Sequence, residues 1–476
     1  MRDPLASLSL ALAAGGGHVD ALPVRQLVAA GVTLLQRCAP LTRALVGRRA
    51  AILAPTGPQF VVALAACEGR GAVLVNPLAA AAEVAHQCAD ADVGAVFTVA
   101  ALAARVPAGI PVVLLDEAPR RVTVHVGGAT LDVDLGSHVG LVLEGDRDVE
   151  GSDEEAAIVY TSAMAGVPLG AILTHGNLLA NGRATVAAAR MTADDHCLAL
   201  LPWSHLFGLT VTLTAPALAG ARVTTMARFH PLRAIEALET QAITTLVGVP
   251  AVYASLLAAI ERRGGVRPDA LRLAICGGAV LPPAVQERWE AATGVPLRQG
   301  YGLTEAGPVC LFNRVDAPNR IGTLGCAYPG AEVTIRDPRT SAPLGTGEPG
   351  EICVRGALVG PGYVRNGDAG LRHVAGWLHT GDRGRMDADG WVTFDGVLKP
   401  MFTRNGFNVY PAEIERTLAL MPGVVRVEVR AIPDAAKEHQ VGVVVHGAVT
   451  ETAVRAWCER LLSAYKQPGV VEIVAP

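Results

Sequence analysis

The sequence predicts an α/β protein. It reads as a large N-terminal domain of two helix-covered, mostly parallel sheets with a small β-rich subdomain, followed by a small α+β C-terminal domain. Three observations predict this. Short apolar runs alternate with Ala- and Leu-rich helical stretches through roughly the first 330 residues. After Arg320 the texture changes to short strands separated by turns. Beyond Gly396 a compact helix–strand–strand–helix pattern closes the chain.

Ala50–Leu53, Ala72–Val75, Ala95–Thr98 and Val112–Leu115 are apolar runs punctuated by Gly or Pro, which predicts parallel strands with helices between them. Residues 116–155 are rich in Asp, Gly and Glu and lack helical periodicity. They predict a surface excursion before a strand at Ile158–Tyr160. A second α/β block from about Asn177 to Gly294 predicts strands at Leu198–Leu201, Arg222–Thr225, Thr244–Val247 and Leu273–Cys276. Val333–Ile335, Gly350–Val354 and Trp391–Phe394, with turns such as Asp389-Gly390, predict the β-rich subdomain at about 320–396. Pro411–Leu420 reads as a helix opening on proline, followed by strands at Val424–Ile432 and Val441–Val445 and a last helix at Glu451–Leu462. The expected division is 1–396 and 397–476, with no internal repeat and no long linker.

At 476 residues the chain exceeds one ordinary core. With 51% hydrophobic and 18% charged residues it has ample material to fold. A formal net charge of −4 and the lack of a basic run give no reason to expect nucleic acid or an anionic membrane as partner. Nine scattered cysteines without a C-x-x-C pair predict buried reduced thiols and a cytoplasmic protein. Residues 5–14 form a short apolar stretch, but Arg2 and Asp3 make a poor leader, so an amphipathic first helix is expected. No 18-residue uncharged apolar run predicts a membrane span. Nothing in the sequence speaks to oligomeric state.

Chemistry concentrates in a few segments. Residues Tyr160 to Gly176 place Thr161, Ser162, Gly166 and Gly170 in a Ser/Thr/Gly-bearing turn after a strand. Backbone N–H groups of such a turn converge on an anion, and hydroxyls add donors. The Walker spacing is absent. In Gln299-Gly300-Tyr301-Gly302-Leu303-Thr304-Glu305 the glycines let backbone approach a flat base or phosphate. Thr304 offers a hydroxyl there, and Glu305 can hold Mg²⁺ against phosphate oxygens. Gly376-Trp377-Leu378-His379-Thr380-Gly381-Asp382 ends on a carboxylate able to accept two donors.

In this order the segments resemble those of the adenylate-forming family: acyl-CoA synthetases, adenylation domains of peptide synthetases, and luciferases. Tyr160–His175 is similar to its phosphate loop, and Leu201-Pro202-Trp203-Ser204-His205-Leu206-Phe207-Gly208 to its L-P-x-x-H-x-x-G segment. Cys276-Gly277-Gly278-Ala279-Val280-Leu281 resembles the G-G-A-x-L turn, and Gly347 to Gly356 a scaffold strand. The resemblance implies ATP or AMP at Thr161, Ser162, Gly166, Gly278, Ala279, Gly300, Tyr301, Gly302, Thr304, Asp382 and Lys399, with both ribose hydroxyls on Asp382. It implies Mg²⁺ on Glu305, catalysis by Thr304, Glu305 and His205, and an acyl site at Trp203, His205, Gly278 and Gly302. Asn405-Gly406-Phe407-Asn408-Val409 resembles the loop that enters the site during thioester formation, through Gly406 and Phe407.

Six departures weaken the phosphate chemistry. Ala163, Met164, Ala165 and Leu169 stand where the family has a glycine, two hydroxyl residues and a lysine. Val397 replaces the hinge arginine of Gly396-Val397-Leu398-Lys399-Pro400, and the match stops after Tyr465-Lys466-Gln467-Pro468, short of the family's terminal lysine. Loss of one such stabiliser typically lowers a rate by ~10²–10³. The resemblance therefore implies an ATP-dependent acyl- or aryl-CoA synthetase that activates a small carboxylic acid as its adenylate and transfers it to CoA or a carrier-protein thiol. The alternative is an impaired member that binds AMP, an acyl adenylate or an acyl group, or performs only the transfer half-reaction, and acts with a partner.

Overall fold

The structure, a computed structural model, describes residues 7–68, 70–116, 121–135, 153–161, 168–365, 372–398, 401–434 and 437–474. Two large sheets build the large lobe. In the first, Glu155–Thr161, Ala72–Leu74, Arg49–Leu53, Val93–Thr98 and Val112–Leu114 run parallel in that spatial order. Their side chains are almost all buried, as a sheet covered on both faces requires. Leu169–Thr174 and Gly362–Tyr363 add antiparallel at one edge. The second sheet runs parallel through Arg222–Thr225, His196–Ala199, Thr245–Gly248, Leu273–Cys276 and Leu297–Gly302, then turns antiparallel at Val309–Phe312. One continuous apolar core joins residues of both sheets, with the fully buried helix Pro58–Ala66 inside it.

Part of the predicted surface excursion after residue 116 is instead a hairpin. Arg121–Val126 and Ala129–Asp134 pair antiparallel with each other, and the first of them extends the sheet from Val112–Leu114. Val122, Val124 and Val133 reach the core, so alternation hidden among acidic residues was the missed signal. The first helix, Leu8–Gly15, is not amphipathic: Leu8, Ser9, Leu10 and Leu12 are all buried. Neighbouring helices Val24–Arg37 and Ala215–Ala219 enclose it. A Cβ on Gly15 would lie 1.8 Å from the Ala217 carbonyl oxygen, so only glycine permits this approach.

The β-rich subdomain is an antiparallel sheet of Ala331–Arg336, Gly350–Gly356, Trp377–Met386 and Val392–Val397. In the small lobe, Val424–Asp434 and Glu438–Gly447 pair antiparallel, and an unpredicted strand Val470–Val474 adds in parallel. Helices Pro411–Ala419 and Glu451–Leu461 cover that sheet through Ile414, Leu418, Val454 and Cys458. All nine cysteines are free, and only Cys326 is not buried. No helix among the described residues is long and apolar enough to cross a membrane.

Where the first helix docks, the Leu8 N–H donates to Nδ1 of His175 at 3.0 Å. Burial lowers that imidazole's pKa to about 4, so it is neutral and cannot compensate the nearby Glu68 carboxyl. Desolvation raises Glu68 from 4.5 to about 7, with Ser7 and Ser9 opposing the shift. A carboxyl raised in the folded state contributes stability that is complete below pH 4.5 and lost as pH rises through about 7. Relative to Glu68→Gln, the native protein should therefore lose on the order of 2 kcal/mol between pH 5 and pH 8. Paired melting curves across that range measure it, and parallel curves would refute the assignment.

Candidate active site

The C-terminal ends of parallel strands leave backbone groups and loops free to form a site, and here two of them do so. After Leu273–Cys276 the chain turns through Gly277–Ala279, and after Leu297–Gly302 it turns through Thr304–Ala306. With Thr161, Leu169, Tyr363, Asp382, Gly396 and small-lobe residues such as Asn408 and Tyr410, these turns enclose a cavity of about 470 Å³ between the lobes. Gly302 has no room for a side chain: a Cβ would stand 1.7 Å from the Pro308 carbonyl oxygen.

Tyr301 and Asp382 meet in this cavity. The Tyr301 hydroxyl donates to Asp382 Oδ2 at 2.7 Å, and both side chains are largely buried. Burial beside that carboxylate pushes the Tyr301 pKa well above the usual phenol value, so its proton stays in place as a donor. The turn carrying Asp382 is held from behind. Glu351 Oε1 accepts from the Gly381 N–H at 2.8 Å, and Thr380 Oγ1 accepts from the Asp382 N–H at 3.1 Å. Directly across the ladder from Asp382 stands Val397.

Glu305 Oε1 accepts from the Tyr363 hydroxyl at 2.8 Å, which leaves the other oxygen beside Thr304 in the same cavity. One carboxylate next to space for phosphate oxygens suits Mg²⁺, which is usually held by one or two carboxylates and its substrate, so the residues fit this ion. Among the described residues lining the cavity, none is lysine or arginine.

A second cavity of about 420 Å³ adjoins the first and shares Thr161, Thr304, Asn408 and Tyr410 with it. His205 lines it and is neutral, because burial lowers its pKa to about 4. His205 Nδ1 accepts from the Phe207 N–H at 3.2 Å, so Nε2 carries the proton. Phe407 lies edge-on to His205 at 6.5 Å between centroids and stacks on Tyr465 at 4.6 Å. Next to it Gly406 has φ +76° and sits where a Cβ would press within 2.7 Å of Val249, a position only glycine can take.

Of the residues expected from sequence, Thr161, Gly278, Ala279, Gly300, Tyr301, Gly302, Thr304, Glu305 and Asp382 line the first cavity, and His205 and Phe407 the second. Trp203 is placed elsewhere than the two cavities. It is fully buried, its Nε1–H donates to Thr212 Oγ1 at 3.0 Å, and it packs edge-on against Phe60, lining neither cavity. Ser162, Gly166 and Lys399 lie outside the described residues. Tyr363, Leu324, Phe394 and His439 also line the first cavity, and no motif marked them. The Gly362–Tyr363 pair was the only local hint for Tyr363. Gly302→Ala should lower stability by more than ~2 kcal/mol and abolish nucleotide binding, because the Pro308 backbone must move. Thermal melting with and without AMP measures both effects.

The model of the "AMP-binding enzyme" family matches residues 41–364. A feruloyl-CoA synthase from an Amycolatopsis species is 32% identical over 446 residues, which is 90% of this chain and 84% of that protein. Among solved structures, a malonyl-CoA ligase in ternary complex with methylmalonyl-CoA and AMP overlays with a TM-score of 0.78 at 25% identity, covering 96% of this chain and 95% of that one. ATP-bound MatB from Rhodopseudomonas palustris overlays at 0.67 and 28% identity, covering 98% and 95%. With a family model spanning most of its large lobe and a relative aligned across nine-tenths of its length, this chain belongs to the AMP-binding enzyme family.

Proposed function

We propose that this protein is an ATP-dependent acyl- or aryl-CoA ligase that holds an adenylate in the first cavity and receives a thiol such as CoA through the second. The observation that carries the reading is the convergence of Gly278–Ala279, Tyr301–Glu305 and Asp382 on one cavity between the lobes. Asp382, supported by Tyr301, takes the ribose hydroxyls, and the turns at Gly278 and Gly302 let backbone lie against adenine and the acyl carbonyl. Glu305 would hold Mg²⁺, which when bound neutralises phosphate charge. The substrate carboxylate attacks the α-phosphate and pyrophosphate leaves. The thiol sulfur then bonds to the acyl carbon as the bond to phosphate breaks, and AMP departs. Thr304 supplies a hydroxyl donor to the phosphate, and neutral His205 offers its Nε2–H to the second cavity. In this reading the lobe boundary lies at Gly396–Val397, and the nine unpaired cysteines support a cytoplasmic location.

A second reading, in which the chain favours the transfer half-reaction, draws on a specific feature. The described lining of the first cavity carries Glu305 and Asp382 but no cation, a poor environment for a triphosphate and a better one for a monoanionic adenylate. The inserted Phe407 points the same way.

Pyrophosphate exchange over a panel of carboxylic acids tests the first reading, and background exchange with tight AMP binding would leave only the second. Leu169→Lys places an ammonium in the cavity and should raise exchange by roughly 10-fold or more. No gain would refute the view that a missing charge limits activation. Asp382→Asn should weaken AMP binding ~10–100-fold by calorimetry, with little change in melting temperature.

A further inference from the structure

A buried charge cluster joins the two lobes beside the inserted loop. Lys466 is 4% exposed, and its ammonium donates to Glu83 Oε1 at 2.8 Å and to Glu413 Oε1 at 2.6 Å. Glu83 belongs to the large-lobe helix Ala81–Asp90, and Glu413 to the first turn of the small-lobe helix Pro411–Ala419. The Ser463 hydroxyl also donates to Glu83. One large-lobe carboxylate thus receives two small-lobe donors. Between those donors in sequence lies Tyr465, the ring on which Phe407 stacks.

The cluster has the construction of a releasable latch. A buried pair that must lose a partner leaves an uncompensated charge, which is strongly unfavourable. Here rotation of the small lobe carries Lys466 and Glu413 away together, still paired. Glu83 keeps the Ala80 N–H bond that its Oε2 accepts at 2.8 Å and regains water. Separation therefore leaves no naked charge, while docking demands one geometry from three side chains.

We propose that Glu83 is a positioning residue. Through Lys466 and Ser463 it fixes Tyr465, and through Tyr465 it holds Phe407 against His205, in the lobe arrangement that serves acyl transfer. This rests on the ligase reading above for its chemistry but not for its geometry. The test is hydrogen exchange on the full chain, native and Glu83→Gln, read at the amides of residues 405–409. Glu83→Gln should speed exchange there about 10-fold while the small-lobe strand Glu438–Gly447 keeps its protection, and Ser463→Ala should act in the same direction by less. In parallel, with benzoyl adenylate and CoA as probes, kcat for thioester formation should fall about 10-fold with KM for CoA within two-fold. Unchanged exchange at 405–409, or a uniform rise across the small lobe, would overturn the proposal. If only the ligase reading fails, native protein forms no thioester while the exchange difference stands.

Discussion

The bond from the Tyr301 hydroxyl to the Asp382 carboxylate is the contact that organises this molecule's working centre. Tyr301 ends a strand of the large parallel sheet, and Asp382 sits in the longest strand of the β-rich subdomain. Two units with separate hydrogen-bonding ladders are thereby registered at one point. The same strand carries the ladder to Val397, where the chain leaves for the small lobe. Glu351 and Thr380 brace the turn, so the carboxylate is held by its own backbone before any ligand arrives. Such preorganisation reduces the ordering that binding must otherwise drive.

Around that fixed point the electrostatics are uneven. Hydroxyls, backbone and two carboxylates face the cavity, with apolar Leu169 and Val397 beside them. Geometry for a nucleoside is retained, while the means of holding three phosphates is thin among the described residues. The second cavity is built differently, with a neutral histidine, an aromatic stack and the inter-lobe ions in its walls. Chemistry that moves an uncharged acyl carbon from one chamber toward the other needs less charge stabilisation than triphosphate cleavage does.

Much of this was legible in the residues. Strands buried on both faces announce themselves as apolar runs, and Arg49–Leu53, Val93–Thr98, Thr245–Gly248 and Leu273–Cys276 fall within a residue or two of expectation. Half-buried strands were harder. Arg121–Val126 and Ala129–Asp134 show the core only every second residue, and Val470–Val474 is too short and exposed to stand out. Site residues on glycine-rich turns were visible because backbone conformation leaves a composition trace. Tyr363 and His439 were not: Tyr363 reaches the cavity through an edge pairing with Ala171 that only the assembled sheet creates, and His439 from the hairpin end of a small-lobe strand. Trp203 packs where no local pattern could show it: its ring meets Phe60, far away in the chain, and its Nε1–H bonds Thr212, nine residues on.

The two chambers share Thr161, Thr304, Asn408 and Tyr410 as a common partition. A compound carrying a nucleoside at one end and an extended polar tail at the other would gain the advantage of a tethered pair, since seating either end raises the effective concentration of the other. The partition thus defines a design rule for inhibitors: the linker must span four side chains before either end group can add to the other's hold.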